Sequence, residues 1–139
     1  MPTVIVSGSR EVATRVALPK QITDSLDRIM AQGFDIVIGD AHGIDSQVQW
    51  YLKHKGYTKV TVYCAVFGKN TKPRNNYGFK TVAIQGNYTE RDKAMCAIAD
   101  YGLAIWNGQS KGTLANIRRV PKTRIFRVPF VQKPQSIHQ

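Results

Sequence analysis

The pattern of apolar and polar positions divides the chain into short runs with strand character. The first run, Thr3 to Ser7, is β-branched and apolar and stops at a glycine, which is typical of a buried strand that ends in a turn. Lys59 to Ala65 alternates Val and Cys with Thr and Tyr, which predicts another strand. The other runs of this kind are Phe34 to Ile38, Thr81 to Ile84, Tyr101 to Trp106 and Ile125 to Val128.

Between these runs, apolar residues recur at helical spacing. Gly33 and Gly56 follow two such segments, where a glycine favours the end of a helix. The first two helical segments are Leu18 to Gln32 and the stretch through Val48, Tyr51 and Leu52. A capping box of Thr89 and Asp92 is expected to begin the third helix, which ends at Asp100. The fourth is a short run with Leu114, Ile117 and Arg118. Strands that alternate with helices predict an α/β fold, a Rossmann-like three-layer domain with a mostly parallel sheet.

The length of the chain fits one domain. The 139 residues suffice to bury a single core. We expect the domain to span residues 1 to 129, followed by a C-terminal tail over residues 130 to 139. The polar segment from Val66 to Phe79, rich in Gly, Asn, Lys and Pro, is longer than a minimal loop and predicts a functional flap.

The charge balance narrows the range of partners. Twenty Lys and Arg against nine Asp and Glu give a net charge of +11, which favours polyanions or small phosphorylated ligands. No window holds the roughly 18 uncharged apolar residues of a membrane span, and the N-terminus lacks a secretory signal pattern, so we expect a cytoplasmic protein without a membrane partner. Cys64 and Cys96 lie in apolar surroundings and predict buried thiols, and no metal-ligand cluster or cofactor motif is found.

Three glycine-containing turns follow predicted strands: residues 8–10, 39–45 and 108–113, of which the second and third open helices. In parallel sheets, ligands bind at the carboxyl ends of the strands, where the N-termini of helices direct free amides outward. The third turn, residues 108–113, is no Walker loop, because its Lys precedes the second Gly. The candidate phosphate- and ligand-binding residues are Gly8, Ser9, Arg10, Gly39, Asp40, His42, Gly43, Asp45, Arg91, Trp106, Gly108, Ser110, Lys111, Gly112 and Thr113.

These segments together resemble the SLOG superfamily. The resemblance rests on residues 4–10 (VIVSGSR), 39–45 (GDAHGID), 91–95 (RDKAM) and 108–113 (GQSKGT), and it covers residues 3 to 120. It is nearest to the YspA-like proteins and extends to the LONELY GUY phosphoribohydrolases and to the DprA DNA-processing proteins. It implies a nucleotide-binding crevice and, since relatives often pair, favours a homo-oligomer.

Two departures from the LONELY GUY pattern bear on catalysis. Arg91 matches the arginine of that family, but Asp92 stands in place of its lysine and Asn116 in place of its glutamate. Cleavage of a glycosidic bond needs a carboxylate that activates water or stabilises the oxocarbenium charge, and an amide does neither. Arg91 and Asp45 remain the catalytic candidates, with Asp40 and Asp92 as other carboxylates that could face the same crevice.

The leading hypothesis is therefore a sensor or sequestering protein for a phosphate-bearing nucleotide derivative, such as an ADP-ribose-like or cyclic nucleotide signal. The first alternative is a nucleotide N-glycosidase or phosphoribohydrolase. The second is a DprA-type binder of single-stranded nucleic acid, for which Phe67, Tyr77 and Phe79 in the flap would supply stacking surfaces.

Overall fold

The six predicted strands form one sheet in the computed structural model, which describes residues 1–10 and 17–128. The predicted tail at residues 130 to 139 lies outside the described residues. The strands are β1 (Thr3–Gly8), β2 (Asp35–Gly39), β3 (Val60–Val66), β4 (Lys80–Gln85), β5 (Tyr101–Trp106) and β6 (Thr123–Arg127). The helices are α1 (Lys20–Ala31), α2 (Ile44–His54), α3 (Tyr88–Ile98) and α4 (Lys111–Arg119).

All neighbouring strands pair in parallel, in the order β4-β3-β2-β1-β5-β6. The chain adds β2, β3 and β4 on one side of β1 and then returns through α3 to place β5 on the other side. The order of the strands therefore reverses between β1 and β5, and such a switch point opens a crevice at the carboxyl ends of the strands. The Rossmann-like three-layer fold is confirmed.

The two faces of the sheet carry separate cores because successive strand residues point to opposite faces. Val4 and Val6 of β1 pack with α1 and α2, whereas Ile5 between them packs with Met95 of α3. α4 joins α3 on this second face. Both cysteines are buried, as expected, with Cys96 in the second core.

The start of α3 differs from the expected one. The helix begins at Tyr88, and its N-cap is Asn87, whose side chain accepts a hydrogen bond from the Glu90 N–H at 3.1 Å. The prediction of a Thr89/Asp92 capping box was wrong, because an asparagine two residues earlier satisfies the free amide and leaves Thr89 within the helix. Asp92 instead forms part of a buried charge network.

The segment between β3 and β4 forms a loop, although the two strands run parallel. Part of this loop is fixed to the centre of the molecule: Arg74 and Asn75 contact the turn after β2. The loop therefore brings residues from the β3–β4 connection to the carboxyl ends of the inner strands. None of the helices in the described part of the chain is long and apolar enough to cross a membrane.

Candidate functional site

A cavity of about 460 Å³ lies at the carboxyl end of the sheet, next to the switch point between β1 and β5. Its walls come from the end of β1, the β2–α2 turn, the first turns of α3, and the β5–α4 turn. Its polar lining residues are Ser7, Arg10, Asp45, Arg74, Tyr88, Arg91, Asp92, Asn107, Gln109, Ser110, Lys111, Thr113 and Asn116. The cavity thus has the size and the place in the fold of a small-ligand site.

Arg91 is the centre of a buried charge network on the inner wall. Its Nη1 donates to Asp40 Oδ1 at 2.8 Å, and its Nε and Nη2 donate to Asp92 Oδ1 at 3.1 and 2.9 Å. Burial disfavours the charged guanidinium, but Asp92, Asp45 and Asp40 outweigh that effect and raise the pKa of Arg91. Arg91 is therefore a fixed cation whose donors are largely used within the protein.

Asp45 lies beside this network but is held differently. Its Oδ2 accepts a hydrogen bond from the Ala41 N–H at 3.2 Å, and its side chain lines the cavity. Burial raises the pKa of Asp45 to about 7; Arg91 opposes this effect, and Asp92 and Asp40 add to it. A buried carboxyl that titrates near neutral pH can both accept and donate a proton at the cavity wall.

Asp40 connects the network to the β3–β4 loop. It is fully buried and accepts hydrogen bonds from the Arg74 N–H at 2.8 Å and from Arg74 Nη2 at 3.0 Å, besides the bond from Arg91. Burial alone would raise the pKa of Asp40, but Arg74 and then Arg91 lower it. The Arg74 guanidinium also stands over the ring of Tyr88, 4.3 Å from its centroid, so both side chains form part of the cavity wall.

Asn116, which stands where the LONELY GUY pattern has a glutamate, lines the cavity and holds Asp92 in place. Its Nδ2 donates to Asp92 Oδ2 at 3.2 Å, and its Oδ1 accepts from Arg119 Nη1 at 2.9 Å. With Arg91 on one carboxylate oxygen and Asn116 on the other, Asp92 is fixed in orientation. A carboxylate is therefore present next to position 116, supplied by α3 instead of α4.

The β5–α4 turn is organised by its own side chains. Asn107 Oδ1 accepts from the N–H groups of Gln109 and Ser110, both at 2.9 Å, and Ser110 Oγ caps α4 by accepting from Thr113 N at 3.4 Å. These amides are thus used within the turn. α4 itself begins at Lys111, and the Lys111 side chain is exposed at the mouth of the cavity.

The structure brings eight of the fifteen candidate binding residues together around the cavity. Arg10 and Lys111 are the exposed cations among them, and both lie at the mouth. The eight residues are Gly8, Arg10, Asp45, Arg91, Ser110, Lys111, Gly112 and Thr113. Gly8 also serves packing, because a Cβ there would collide with the Ile44 side chain of α2.

The other candidates lie behind or beside the cavity wall. Ser9 is fully buried, and its Oγ accepts from the Asn107 N–H at 3.1 Å, which joins the ends of β1 and β5. Trp106 donates from Nε1 to Ser110 O at 3.0 Å and so supports the turn. Asp40 supports Arg91, and His42 is exposed. The three glycines outside the lining are Gly39, Gly43 and Gly108.

Two of these glycines have definite steric roles. A Cβ at Gly39 would lie 2.7 Å from Asp45 Oδ2 and 3.0 Å from Arg91 Cζ, so the absence of a side chain leaves room for the charge network. Gly43 has a φ of +81°, and a Cβ there would lie 2.7 Å from the Arg10 carbonyl oxygen. Both glycines therefore shape the site, although neither lines the cavity.

Besides Asp92 and Asn116, which were considered for catalysis, five polar lining residues were missed by sequence reasoning: Ser7, Arg74, Tyr88, Asn107 and Gln109. Arg74 belongs to the predicted flap, but that prediction singled out aromatic residues. Of these, Phe79 is packed in the first core, while Phe67 and Tyr77 are 41% and 40% exposed and lie outside the cavity lining. A signal for Arg74 was present in its position within a polar segment that follows a strand.

Comparison with known proteins gives no family assignment. The chain matches no protein-family model, and no curated protein matches it. Among residues 1–10 and 17–128, no group of three or more His, Cys, Asp or Glu is placed to hold a metal ion.

Proposed function

We propose that the cavity binds a phosphate-bearing nucleotide derivative, such as an ADP-ribose-like or cyclic nucleotide signal, and that the protein acts as its sensor or sequesters it. The observation that carries this proposal is the division of the cavity into two zones. Arg10 and Lys111 supply exposed positive charge at the mouth, whereas Asp45 and Asp92 supply buried carboxyl groups on the inner wall.

Each zone suits one part of such a ligand. A phosphate at the mouth would meet the side chains of Arg10 and Lys111 together with the first amides of α4, which favour an anion. The hydroxyls of a ribose would donate to the carboxyl oxygens of Asp45 and Asp92 on the inner wall. The SLOG resemblance, which itself implies a nucleotide crevice, supports the same ligand class.

The first test is a binding panel with the full chain. ADP-ribose, NAD, a cyclic nucleotide and phosphate-free adenosine are titrated in a calorimeter, and the mixtures are analysed by chromatography with mass detection before and after the protein is denatured. We expect a phosphorylated compound to bind and to be recovered intact, with adenosine bound at least tenfold more weakly. Equal affinity for adenosine would contradict the assignment of the mouth to phosphate.

Variants at the mouth test which residues hold the phosphate. Arg10→Gln and Lys111→Gln should each weaken binding by roughly tenfold or more, since a hydrogen bond to a charged group contributes about 1.5–3 kcal/mol. Lys69→Gln removes the same charge from an exposed lysine outside the lining and is the matched control. If the control loses as much affinity as the two variants, only the overall charge matters and the site assignment fails.

A nucleotide N-glycosidase is the second candidate, and Asp45 is the observation that favours it. Its carboxyl lines the cavity and titrates near pH 7, as a general acid or base should, while the fixed carboxylate of Asp92 could stabilise an oxocarbenium charge. The same panel decides between the two functions. Recovery of a free base and a sugar phosphate would establish the enzyme, and Asp45→Asn should then abolish turnover while binding persists.

A further inference from the structure

Residues 101–128, here called the β6 edge, are rich in basic residues. Asp100 comes directly before them and lines a pocket together with Arg119 and Lys122. Residues 101–128, which form β5, α4 and β6, hold six Lys and Arg and no Asp or Glu. The six residues are Lys111, Arg118, Arg119, Lys122, Arg124 and Arg127. Of these, Lys111 also lies at the mouth of the cavity, and Arg119 also donates to Asn116 Oδ1. β6 is the last strand of the sheet, and no strand among residues 1–10 and 17–128 pairs with its outer side.

The charges of this edge are not neutralised within the described part of the chain. Among the described residues, ion pairs join Lys20 with Asp24 and connect Arg74 and Arg91 with buried carboxylates at the cavity. None of the six basic residues of the β6 edge takes part in these pairs. The edge therefore presents a positive field to solvent.

Several of these cations are held against aromatic rings. Lys122 Nζ lies 5.8 Å from the centroid of the Tyr101 ring, Arg124 Cζ lies 5.0 Å from that of Phe126, and Arg127 Cζ lies 5.4 Å from that of Trp106. Such contacts restrict a long side chain without neutralising its charge. They also cover a face of each ring, so these aromatics offer little surface on which a base could stack.

We propose that the β6 edge binds the phosphate backbone of duplex nucleic acid without reading its sequence. Five strand residues extend over roughly 17 Å, and a duplex presents one negative charge per about 1.7 Å of its axis. The edge can therefore meet several phosphates at once. A duplex fits better than a single strand because its bases are already stacked and need no aromatic platform.

The opposite edge of the sheet, at β4, is also basic, so its cations are compared with those of the β6 edge. Residues 60–89 also lack Asp and Glu, but the arginine there, Arg74, is paired with Asp40, which leaves Lys69, Lys72 and Lys80. Four of the six cations on the β6 edge are arginines, whose planar guanidinium groups bind phosphate in a bidentate manner. The number and the type of cation thus distinguish the two edges.

The test compares two triple variants of the full chain. Arg118→Gln/Lys122→Gln/Arg124→Gln alters exposed positions of the β6 edge, and Lys69→Gln/Lys72→Gln/Lys80→Gln alters exposed positions of the opposite edge. Each removes three charges from the net +11. Binding of a fluorescent 20-base-pair DNA duplex, and of one of its strands alone, is measured by anisotropy across a salt series, with thermal melting as the check of folding.

We expect the wild-type protein to prefer the duplex and the β6-edge variant to bind it at least tenfold more weakly. The slope of log affinity against log salt should fall by about 2 to 3 in that variant, since each lost phosphate contact removes about 0.9. The opposite-edge variant should stay within threefold of wild type. Equal losses in both variants, tighter binding of the single strand, or no binding at 50 mM salt would overturn the proposal.

A measurement on the unaltered protein covers the case in which the variant fails to fold. Lysine acetylation, followed by mass spectrometry, should be slowed by duplex at Lys122 and unchanged at Lys80. Protection of both lysines or of neither would contradict the proposal. Because Arg118, Lys122 and Arg124 do not line the cavity, nucleotide binding by the β6-edge variant should equal that of the wild type, so this inference and the proposed function can fail separately.

Discussion

Replacement of Arg91 by Met is the sharpest test of the charge network. Arg91→Met keeps much of the side-chain volume and removes three hydrogen bonds, one to Asp40 at 2.8 Å and two to Asp92 at 3.1 and 2.9 Å. The Arg91 side chain is only 9% exposed, so water screens these interactions little. Loss of one partner from a buried pair costs about 3–5 kcal/mol, because the other charge stays buried and uncompensated.

This cost should appear as a shift of the unfolding transition. For a domain of this length, 1 kcal/mol corresponds to roughly 3–4 °C in Tm, so Arg91→Met should melt about 10–20 °C below wild type. Urea unfolding followed by circular dichroism at pH 7.5 gives the free energy directly. Arg118→Met, at an exposed position of α4, is the matched control and should stay within about 0.5 kcal/mol of wild type.

A double variant measures the interaction free energy between Arg91 and Asp92 separately from the effect of each single substitution. Arg91→Met/Asp92→Leu replaces both charges by apolar side chains, and a buried pair replaced in this way often costs little. The double variant should therefore be less destabilised than the sum of the two single variants, by more than about 1 kcal/mol. Additive losses, or a loss below about 1 kcal/mol in Arg91→Met alone, would refute the reasoning that these charges depend on one another.

Three further predictions concern single positions. The pKa of Asp45 is raised to about 7, so between about pH 4 and 7 the folded protein holds a proton on Asp45 that the unfolded chain releases. The free energy of unfolding should therefore be highest below about pH 4 and should fall by about 4 kcal/mol as the pH rises to 7. Asp45→Asn should remove this fall from the urea-unfolding profile, and equal slopes in both proteins would contradict it. Gly39→Ala, whose Cβ would lie 2.7 Å from the Asp45 carboxyl, should cost about 1–3 kcal/mol and weaken nucleotide binding, whereas Gly112→Ala, with nothing within 4 Å, should not destabilise the protein. Asn87→Ala should cost about 1 kcal/mol through the lost cap of α3, and a similar cost for Thr89→Ala would restore the original capping assignment.

The elements of the fold were predictable because their signals are local. Short apolar or alternating runs of four to seven residues identified all six strands, and their alternation with helices along the chain predicted a mostly parallel sheet. The one wrong cap, at α3, arose where two polar residues stood close together. Asn87 and Thr89 are both acceptable N-cap residues, and only the backbone geometry decides which of them accepts from a free amide.

The candidate site was predictable in part, for a related reason. Turns that follow parallel strands meet at one edge of the sheet, so the sequence placed Arg10, Asp45 and Lys111 near one another. It gave Ser9 the same role, but the hydroxyl of Ser9 points to the neighbouring turn and accepts from Asn107. The direction of one side chain depends on packing between segments almost a hundred residues apart.

The sequence by itself thus determined the α/β class, the places of the strands and helices, the burial of both cysteines and the net positive charge. The tertiary structure alone decided which charges meet. Asp40 and Arg91 are 51 positions apart, and Arg74 reaches Asp40 from a loop with no periodic signal. Such pairs depend on the order of the strands in the sheet, which is set by the total free energy of the folded chain and leaves no mark on local residue spacing.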